Sequence, residues 1–525
     1  MAYTGKTFRG VDYSPTWPSW SQGPGGTQTN DSDFANDAFA SFWSDKFRAP
    51  PAGGGSVPVN NGTTYRNDLA TMQQYGFNLV RLYNWDMARG TNPPSPTGPS
   101  PDHINFLDHA YALGIKVVVP VSDYFLGDNQ YAWNNAVLSS YAFSQAPPGI
   151  QNDFGLFVAS ITDPRTNKIH AAVHSISIGN EGDIGQGIAG TTASNFLART
   201  IWWIVNLRQK IMSFGPNVML SATFSNADQG GSTGSWFNCL ISGVMAQQQT
   251  PNGCALGANF ATAVTGLKAA DPTYATYYYN STNIGQNGTG LTQTLGFYDS
   301  GASPWPGAAM NVPLLFMEVF TNNRNQYPDA NFPTQAAAAL NRINALEAYL
   351  KTKNAGSSVS ATWLMGYNYF EFNDEPSQPK TTGLFSYYPL SNSAQTGTTS
   401  TWYSTTFPNY AFNVHSLIAN PGPTAAQTLP VAIQAAFPGA SMSGSIVATF
   451  GAPGDWQATF YSGSPVPSGI KAGMFASGPG IPPGAVVLAA PLIPAPTMTV
   501  VMVCRSNAAA NPFTAQGTVT LTFRA

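Results

Sequence analysis

Short apolar runs alternate with longer stretches of helical periodicity from the amino terminus to about Phe370. Apolar runs of roughly four to eight residues between turn-forming residues are typical of strands, and apolar residues spaced three or four apart over a longer run are typical of helices. The pattern predicts eight strands, the sixth being the weakest, at residues 8–13, 77–83, 115–121, 173–178, 218–224, 255–260, 313–318 and 361–370. It predicts helices between several of them, at residues 65–75, 104–113, 193–214 and 334–353.

Regular alternation of strands and helices is typical of parallel strands joined by helical crossovers. Eight such strands close most economically into a barrel, so the predicted fold class is α/β, a (β/α)8 TIM barrel that occupies residues 1–420. Insertions rich in Gly and Pro at 18–61, 91–101 and 273–306 are predicted to be extended loops. Those that follow strands would wall the carboxyl-terminal face, where barrels of this kind carry their active sites.

The helical pattern stops after His415, and a proline-rich stretch follows. We therefore predict a linker at 421–430 and a separate all-β module at 431–525, built from short strands and turns. The segment 473–487 resembles a small β-module found in phage fibre and bacterial surface proteins. Attachment to a surface, carbohydrate binding and virion anchoring all remain open as roles for this module.

Two apolar, strand-like runs each end on a single glutamate: Ser177–Glu181 and Pro313–Glu318. The chain has only 25 Asp and Glu residues in 525, so a carboxylate that closes a hydrophobic strand is unusual here. Taken alone, each glutamate could be a solvated strand end or a member of a structural ion pair. Catalytic groups of a (β/α)8 barrel lie at the carboxyl ends of strands, and glycosidases use two carboxylates. We therefore predict sugar chemistry, with Glu181 and Glu318 as the catalytic pair.

The charge and amino-acid composition of the chain disfavour some classes of binding partner and favour others. The formal net charge is −3 and only 9% of residues are charged, which disfavours nucleic acid and polybasic membrane binding. The chain lacks the roughly 20-residue apolar stretch needed for membrane insertion, and its start lacks the pattern of a secretory signal. Sparse charge with abundant Ser, Thr, Asn, Gly and Pro favours an extracellular or virion-associated protein. Aromatic residues make up 13% of the chain, and aromatic rings suit the apolar faces of sugars.

Histidine and cysteine spacing predicts no metal site. His170 and His174 lie four residues apart but have no acidic third ligand nearby in the sequence. Cys239 and Cys254 are close enough along the chain to form a disulfide, and Cys504 is predicted to be a free thiol. We expect no metal and no organic cofactor.

The first domain resembles the clan A retaining glycoside hydrolases, above all the family 17 β-1,3-glucanases and the related β-1,3-glucanosyltransferases. The likeness spans roughly residues 7–390, and Glu181 matches the acid/base after strand four while Glu318 matches the nucleophile after strand seven. The segments that carry it are Gly10–Pro15, Val80–Tyr83, Gly179–Glu181, Glu318, Tyr369–Pro376 and Gly383–Phe385. Two features of the family are missing: a Trp-Lys pair, replaced by Ser377–Lys380, and a tyrosine on strand six, where Asn259–Ala261 stands.

The resemblance implies double displacement, with Glu318 attacking the anomeric carbon and Glu181 protonating the departing oxygen. A retaining mechanism needs the two carboxyl groups about 5–5.5 Å apart. Asn180 is placed to bind the sugar 2-hydroxyl, and Arg81 to orient Glu318 and keep it ionised; an ion pair in the barrel interior is the alternative for Arg81. The remaining predicted subsite residues, each equally compatible with packing except Glu371, are Tyr83, Asp123, Tyr124, Trp363, Tyr367 and Glu371.

The predicted function is thus hydrolysis of a β-glucan-type polysaccharide, with β-1,3-glucan preferred. Two alternatives stay open: a β-1,3-glucanosyltransferase, and a sugar-binding or virion structural protein that kept the barrel without turnover.

Overall fold

The structure is a computed structural model. It describes residues 7–13, 68–83, 85, 101–127, 131–134, 141–181, 193–215, 217–224, 280–284, 291, 295, 313–319, 332–354, 364–372, 383–386, 418–424, 427–437, 439–452, 455–462, 470, 474–478, 480–482, 485–489, 498–504, 512–513 and 518–524.

A parallel sheet organises the first domain and closes on itself. Its strands pair in chain order, and β8 pairs with β1. The two outermost strands of the sheet are Met219–Ser221 and Thr223–Phe224, which are separated only by Ala222 and so form one interrupted strand, β5. The predicted (β/α)8 barrel is therefore confirmed. Its other strands are β1 (Phe8–Tyr13), β2 (Leu79–Leu82), β3 (Lys116–Val121), β4 (Val173–Ile178), β6 (Asn280–Ile284), β7 (Leu314–Val319) and β8 (Leu364–Tyr369).

Helices cover the outside of this barrel and bury an apolar layer against it. Described helices are α1 (Asp68–Gln74), α2 (Pro101–Ala112), α3 (Pro148–Ser160), α4 (Ala193–Ile211), α5 (Phe332–Asn354) and α6 (Leu429–Ala436). The barrel interior holds a smaller cluster made of Phe8, Leu79, Val118, Leu315, Met317 and Met365. Because strand side chains alternate between two faces, each strand contributes to both layers.

The sixth strand differs from the prediction. Residues 255–260 lie outside the described part of the chain, and Asn280–Ile284 occupies the place between β5 and β7. Its sequence, NSTNI, has one apolar residue, so hydrophobic periodicity gives no strand signal there. The stretch 273–306, predicted to be a loop, therefore contains a barrel strand.

The boundary between the two domains also differs from the prediction. Part of the expected linker belongs to α6, which packs against α5. Leu429, Ile433 and Phe437 lie in the same apolar cluster as the barrel helices. This helix therefore extends the first domain past the predicted linker.

In the part of the chain that the structure describes, two small antiparallel sheets lie outside the barrel: Thr162–Asp163 pairs with Lys168–Ile169, and Phe385–Ser386 pairs with Ile418–Ala419. The strands after α6 form a closed antiparallel barrel with a core of its own, built around residues such as Phe460, Met502 and Phe523. All-β character was predicted for this region. The strands are β9 (Gly439–Ala452), β10 (Asp455–Ser462), β11 (Phe475–Ser477), β12 (Val486–Ala489), β13 (Met498–Cys504) and β14 (Thr518–Arg524). Among the described residues, no helix combines the length and apolar character that a bilayer crossing requires.

Candidate active site

Arg81 is the centre of a buried polar cluster at the carboxyl end of the barrel strands. Its Nη1 donates to Glu318 Oε1 at 2.7 Å, and its Nη2 donates to Asn180 Oδ1 at 2.7 Å. Nη1 also lies 3.4 Å from Asp12 Oδ1. A single guanidinium therefore ties β2 to the ends of β1, β4 and β7. The predicted contact between Arg81 and Glu318 is present, and Arg81 is only 2% exposed.

Tyr83 makes the second hydrogen bond to Glu318. Its hydroxyl donates to Oε1 at 2.6 Å, and its ring lies 4.2 Å from the Arg81 guanidinium carbon. Burial raises the pKa of Tyr83 well above its ordinary value, so the phenol stays protonated and donates. Tyr83 was predicted to line a subsite, and a tyrosine from strand six was expected at the nucleophile. Among the described residues, Tyr83, which follows β2, is the tyrosine that contacts Glu318; the strand-six position, 259–261, lies outside them.

Glu318 faces the cluster because β7 is irregular at this point. Leu315 and Met317 point into the barrel interior, so strict alternation would turn Glu318 outwards. The register with β6 shifts between Phe316 and Glu318, and the register with β8 shifts between Phe316 and Val319. A bulge of this kind re-aims one side chain. Within the described part of the chain both donors go to Oε1 of Glu318.

The acid/base candidate Glu181 lies on a turn in which two residues, Gly179 and Glu181, adopt positive φ angles. Gly179 has φ +70°, and a Cβ there would approach Phe196 to 2.8 Å and Leu126 to 2.9 Å. Glu181 itself has φ +50°, and its N–H donates to the Thr223 carbonyl at 3.0 Å. Glu181 is partly exposed whereas Glu318 is buried. The separation of about 5–5.5 Å between their carboxyl groups stays a prediction.

Asp123 supports this turn from β3. Its Oδ1 accepts the N–H of Asn180 at 2.7 Å. Burial raises the pKa of Asp123 to about 7, against the opposing effects of the Asn180 hydrogen bond and the Arg81 charge. Asp123 was predicted to bind substrate. Its contact shows a carboxyl that holds the backbone N–H of Asn180, directly before Glu181.

The other predicted subsite residues do not form one group. Tyr367 points away from the site, because its hydroxyl donates to Glu347 Oε1 on α5 at 2.6 Å, and Arg9 completes a buried ion pair there. Glu371 follows β8 at the correct end of the barrel and is buried. Trp363 and the side chain of Tyr124 lie outside the described residues.

Asp12 belongs to the cluster although it was not predicted. It lies in β1 with its side chain fully buried. A short sequence such as Gly10–Tyr13 contains no signal that its aspartate faces Arg81, since the contact joins two strands far apart in sequence.

The histidines predicted not to bind metal have other contacts. His170 lies 3.0 Å from Asp108 and accepts the N–H of Ala172, while the His174 ring packs 4.4 Å from that of Phe8. Among described residues, no group of three or more His, Cys, Asp or Glu is placed to hold a metal ion.

Replacing Tyr83 by Phe should lower kcat/KM about 10- to 100-fold, since a hydrogen bond to a charged group contributes roughly 1.5–3 kcal/mol. Steady-state kinetics on an aryl β-glucoside measures the effect. Tyr111→Phe is the matched control, because Tyr111 is 53% exposed on α2 and its ring packs against His170. Equal activities for Tyr83→Phe and Tyr111→Phe would contradict the role assigned to the Tyr83 hydroxyl.

No protein-family model matches the chain, and no curated protein matches it either. Several solved structures are similar. A β-glucosidase from Thermotoga maritima in complex with deoxynojirimycin has a TM-score of 0.43 and 10% identity, covering 77% of this chain and 98% of that chain. A catalytic core of xylanase A has a TM-score of 0.37 and 14% identity, covering 64% of this chain and 91% of that chain.

An endo-glycoceramidase II from Rhodococcus sp., a lactosyl-enzyme intermediate, has a TM-score of 0.36 and 11% identity, covering 99% of this chain and 97% of that chain. These similar structures are glycoside hydrolases. At TM-scores below 0.5 the fold assignment rests on strand order and closure, and the resemblance to family 17 stays a prediction.

Proposed function

We propose that the chain is a retaining glycoside hydrolase that acts on a β-glucan-type polysaccharide, with β-1,3-glucan as the preferred substrate. The observation that carries the proposal is the pair of hydrogen bonds from Arg81 and Tyr83 to one oxygen of Glu318 at the carboxyl end of β7. They orient a buried carboxylate, stabilise its charge and leave its second oxygen for attack.

The second half of the site supports the same chemistry. Arg81 also holds Asn180, the residue before Glu181, so the positions of the two glutamates depend on one guanidinium. In the first step Glu318 attacks the anomeric carbon while Glu181 gives its proton to the leaving oxygen. In the second step Glu181 removes a proton from water, which breaks the glycosyl ester. Asn180 supplies a polar side chain at the position expected to contact the sugar 2-hydroxyl.

Preference for a β-1,3-glucan comes from the sequence resemblance, through Gly10–Pro15, Val80–Tyr83 and Gly179–Glu181. The described part of these segments forms the cluster around Arg81, which favours turnover over a barrel that only binds sugar. Transfer to a second sugar instead of water would make the chain a glucanosyltransferase. We further propose that the protein works outside the cell or on a virion, with the β9–β14 barrel as the attachment or carbohydrate-binding module.

Digestion of a glycan panel tests the function. The full chain is incubated with laminarin, mixed-linkage glucan, cellulose, xylan and chitin, and reducing ends are measured. We expect release from laminarin by the wild type and by Asp163→Asn, whose carboxylate lies in the hairpin before β4, but not by Glu318→Gln. Absence of release from every glycan would favour the sugar-binding alternative.

Product lengths from a single laminari-oligosaccharide separate hydrolysis from transfer. Shorter products alone indicate water as the acceptor. Products longer than the substrate would show that a second sugar, instead of water, accepts the glycosyl group.

A further inference from the structure

Asp12 is a buried carboxyl that takes no part in the double-displacement steps described above. Its Oδ1 lies 3.4 Å from Arg81 Nη1, and the same nitrogen lies 2.7 Å from Glu318 Oε1. The guanidinium therefore contacts two carboxyls in an interior where Asp12 is 0% exposed and Glu318 is 7% exposed. The Arg81 charge also acts on Asp123 after β3, whose carboxyl accepts the N–H of Asn180.

Both carboxyls cannot easily be ionised at once. Two negative charges and one positive charge would leave a net charge of −1 in a buried cluster, which burial strongly disfavours. Glu318 holds the negative charge, because it has the shorter contact with Arg81 and the additional hydrogen bond from Tyr83. Asp12 Oδ2 has no hydrogen-bond partner among the described residues. The proton of the pair therefore resides on Asp12.

The surroundings of Asp12 agree with this assignment. Burial raises the pKa of Asp12 well above its ordinary value, the charge of Arg81 opposes the rise, and the charge of Glu318 adds to it. Tyr83, which follows β2, stays protonated, as described above. Glu371 lies in the segment after β8, next to Phe372, whose N–H donates to the Asp12 carbonyl at 2.8 Å.

We propose that Asp12 is a positioning residue that becomes the counter-ion of Arg81 when Glu318 forms the glycosyl ester; this inference rests on the proposed function. In that step a bond forms between a Glu318 oxygen and the anomeric carbon, and the bond from that carbon to the leaving oxygen breaks. The negative charge of Glu318 passes to the leaving group. Arg81 would then be buried without a partner charge, so Asp12 gives its proton to solvent and keeps its negative charge beside Arg81.

Hydrolysis of the ester reverses the exchange. Glu318 regains its charge as it leaves the anomeric carbon, and Asp12 takes up a proton from solvent. Asp12 thus keeps the charge of the cluster constant through the cycle, whereas a purely structural carboxyl would not change its protonation.

Proton release during trapping of the ester tests this role. The probe is 2,4-dinitrophenyl 2-deoxy-2-fluoro-β-laminaribioside, whose leaving group departs as an anion and whose fluorine slows hydrolysis of the ester. The enzyme is the full-length Glu181→Gln variant, so that Glu181 can neither supply nor lose a proton. Absorbance follows dinitrophenolate, and an indicator dye in weak buffer near neutral pH follows protons.

We expect about one proton released per dinitrophenolate in the burst, since the trapping reaction itself releases none. Adding Asp12→Asn should abolish this release, whereas adding Asp163→Asn should leave it unchanged. A burst without proton release would overturn the role of Asp12 and keep the proposed function, and so would undiminished release from the Asp12→Asn enzyme. Absence of any burst would overturn the proposed function and the inference with it. Should Asp12→Asn fold poorly, Asp123→Asn added to Glu181→Gln decides the outcome, since Asp123 is the other buried carboxyl on which the Arg81 charge acts. Release that persists in this enzyme keeps the assignment to Asp12, and loss of release would overturn it.

Discussion

Replacing Glu318 by Gly should abolish turnover, and azide should restore it with inverted product. The loss should be on the order of 10⁴-fold or more, as for removal of a nucleophile from other enzymes that form covalent intermediates. Glycine leaves a space beside Arg81 and Tyr83 that a small anion can fill. Azide in that space attacks the anomeric carbon from the side that Glu318 uses, so a β-glucoside with a good leaving group gives an α-glycosyl azide.

Product analysis by NMR measures this outcome, and Glu318→Gln is the companion variant. Glutamine keeps an oxygen that can accept from Arg81 and Tyr83, so it tests nucleophilicity with little change in packing. The Glu318→Gln enzyme should be as inactive as the Glu318→Gly enzyme, and azide should not restore its activity. A β-glycosyl azide, or turnover by Glu318→Gly without any added anion, would assign the nucleophile to another residue.

Replacing Glu181 by Ala should affect substrates according to their leaving group. On laminarin kcat/KM should fall about 10²- to 10⁴-fold, the usual contribution of a general acid. On a dinitrophenyl glycoside the first step should be nearly unaffected, because that leaving group needs no proton. The ester should then accumulate, because no base activates water for the second step.

A burst of dinitrophenolate followed by slow turnover is the expected signature of Glu181→Ala. Azide should accelerate the slow phase and give a β-glycosyl azide, since it attacks the ester from the face on which Glu181 lies. Equal losses on laminarin and on the dinitrophenyl glycoside would contradict the acid/base role. The opposite configurations of the two azide products make each variant the control for the other.

The barrel could be predicted from sequence because most of its strands are apolar runs with clear boundaries. β6 could not, since a strand such as NSTNI depends on its pairing with β5 and β7 for its conformation and carries no hydrophobic pattern. The predicted linker, 421–430, overlaps α6 at Leu429 and Pro430. The overlap gave no signal in the sequence, because proline is well tolerated in the first turn of a helix.

At the site, the direction in which each strand side chain points was harder to predict than the strands themselves. Met365 faces the barrel interior, and simple alternation would place Tyr367 on the same face. The β7–β8 register shifts near Gly366, which has φ +151°, and Tyr367 turns outwards to Glu347. The bulge in β7 has the opposite consequence, since it turns Glu318 into the site. Bulges depend on pairing between strands, and a single sequence gives little warning of them.

Side-chain contacts across the barrel could not be predicted from the sequence either. Asp12 meets Arg81 only because β1 and β2 are neighbours, and Tyr83 reaches Glu318 from a strand that is not adjacent to β7. The prediction of Glu181 and Glu318 as the catalytic pair needed no such contacts, because each glutamate closes its own apolar run in the sequence.

Peptide mass spectrometry after trapping with the fluorinated laminaribioside tests the identity of the nucleophile most directly. The account predicts one disaccharide adduct per molecule, carried by the side chain of Glu318 within the peptide that contains β7. An adduct on Asp12 or Glu371, or an enzyme that cleaves glucan with no adduct on any carboxylate, would contradict it.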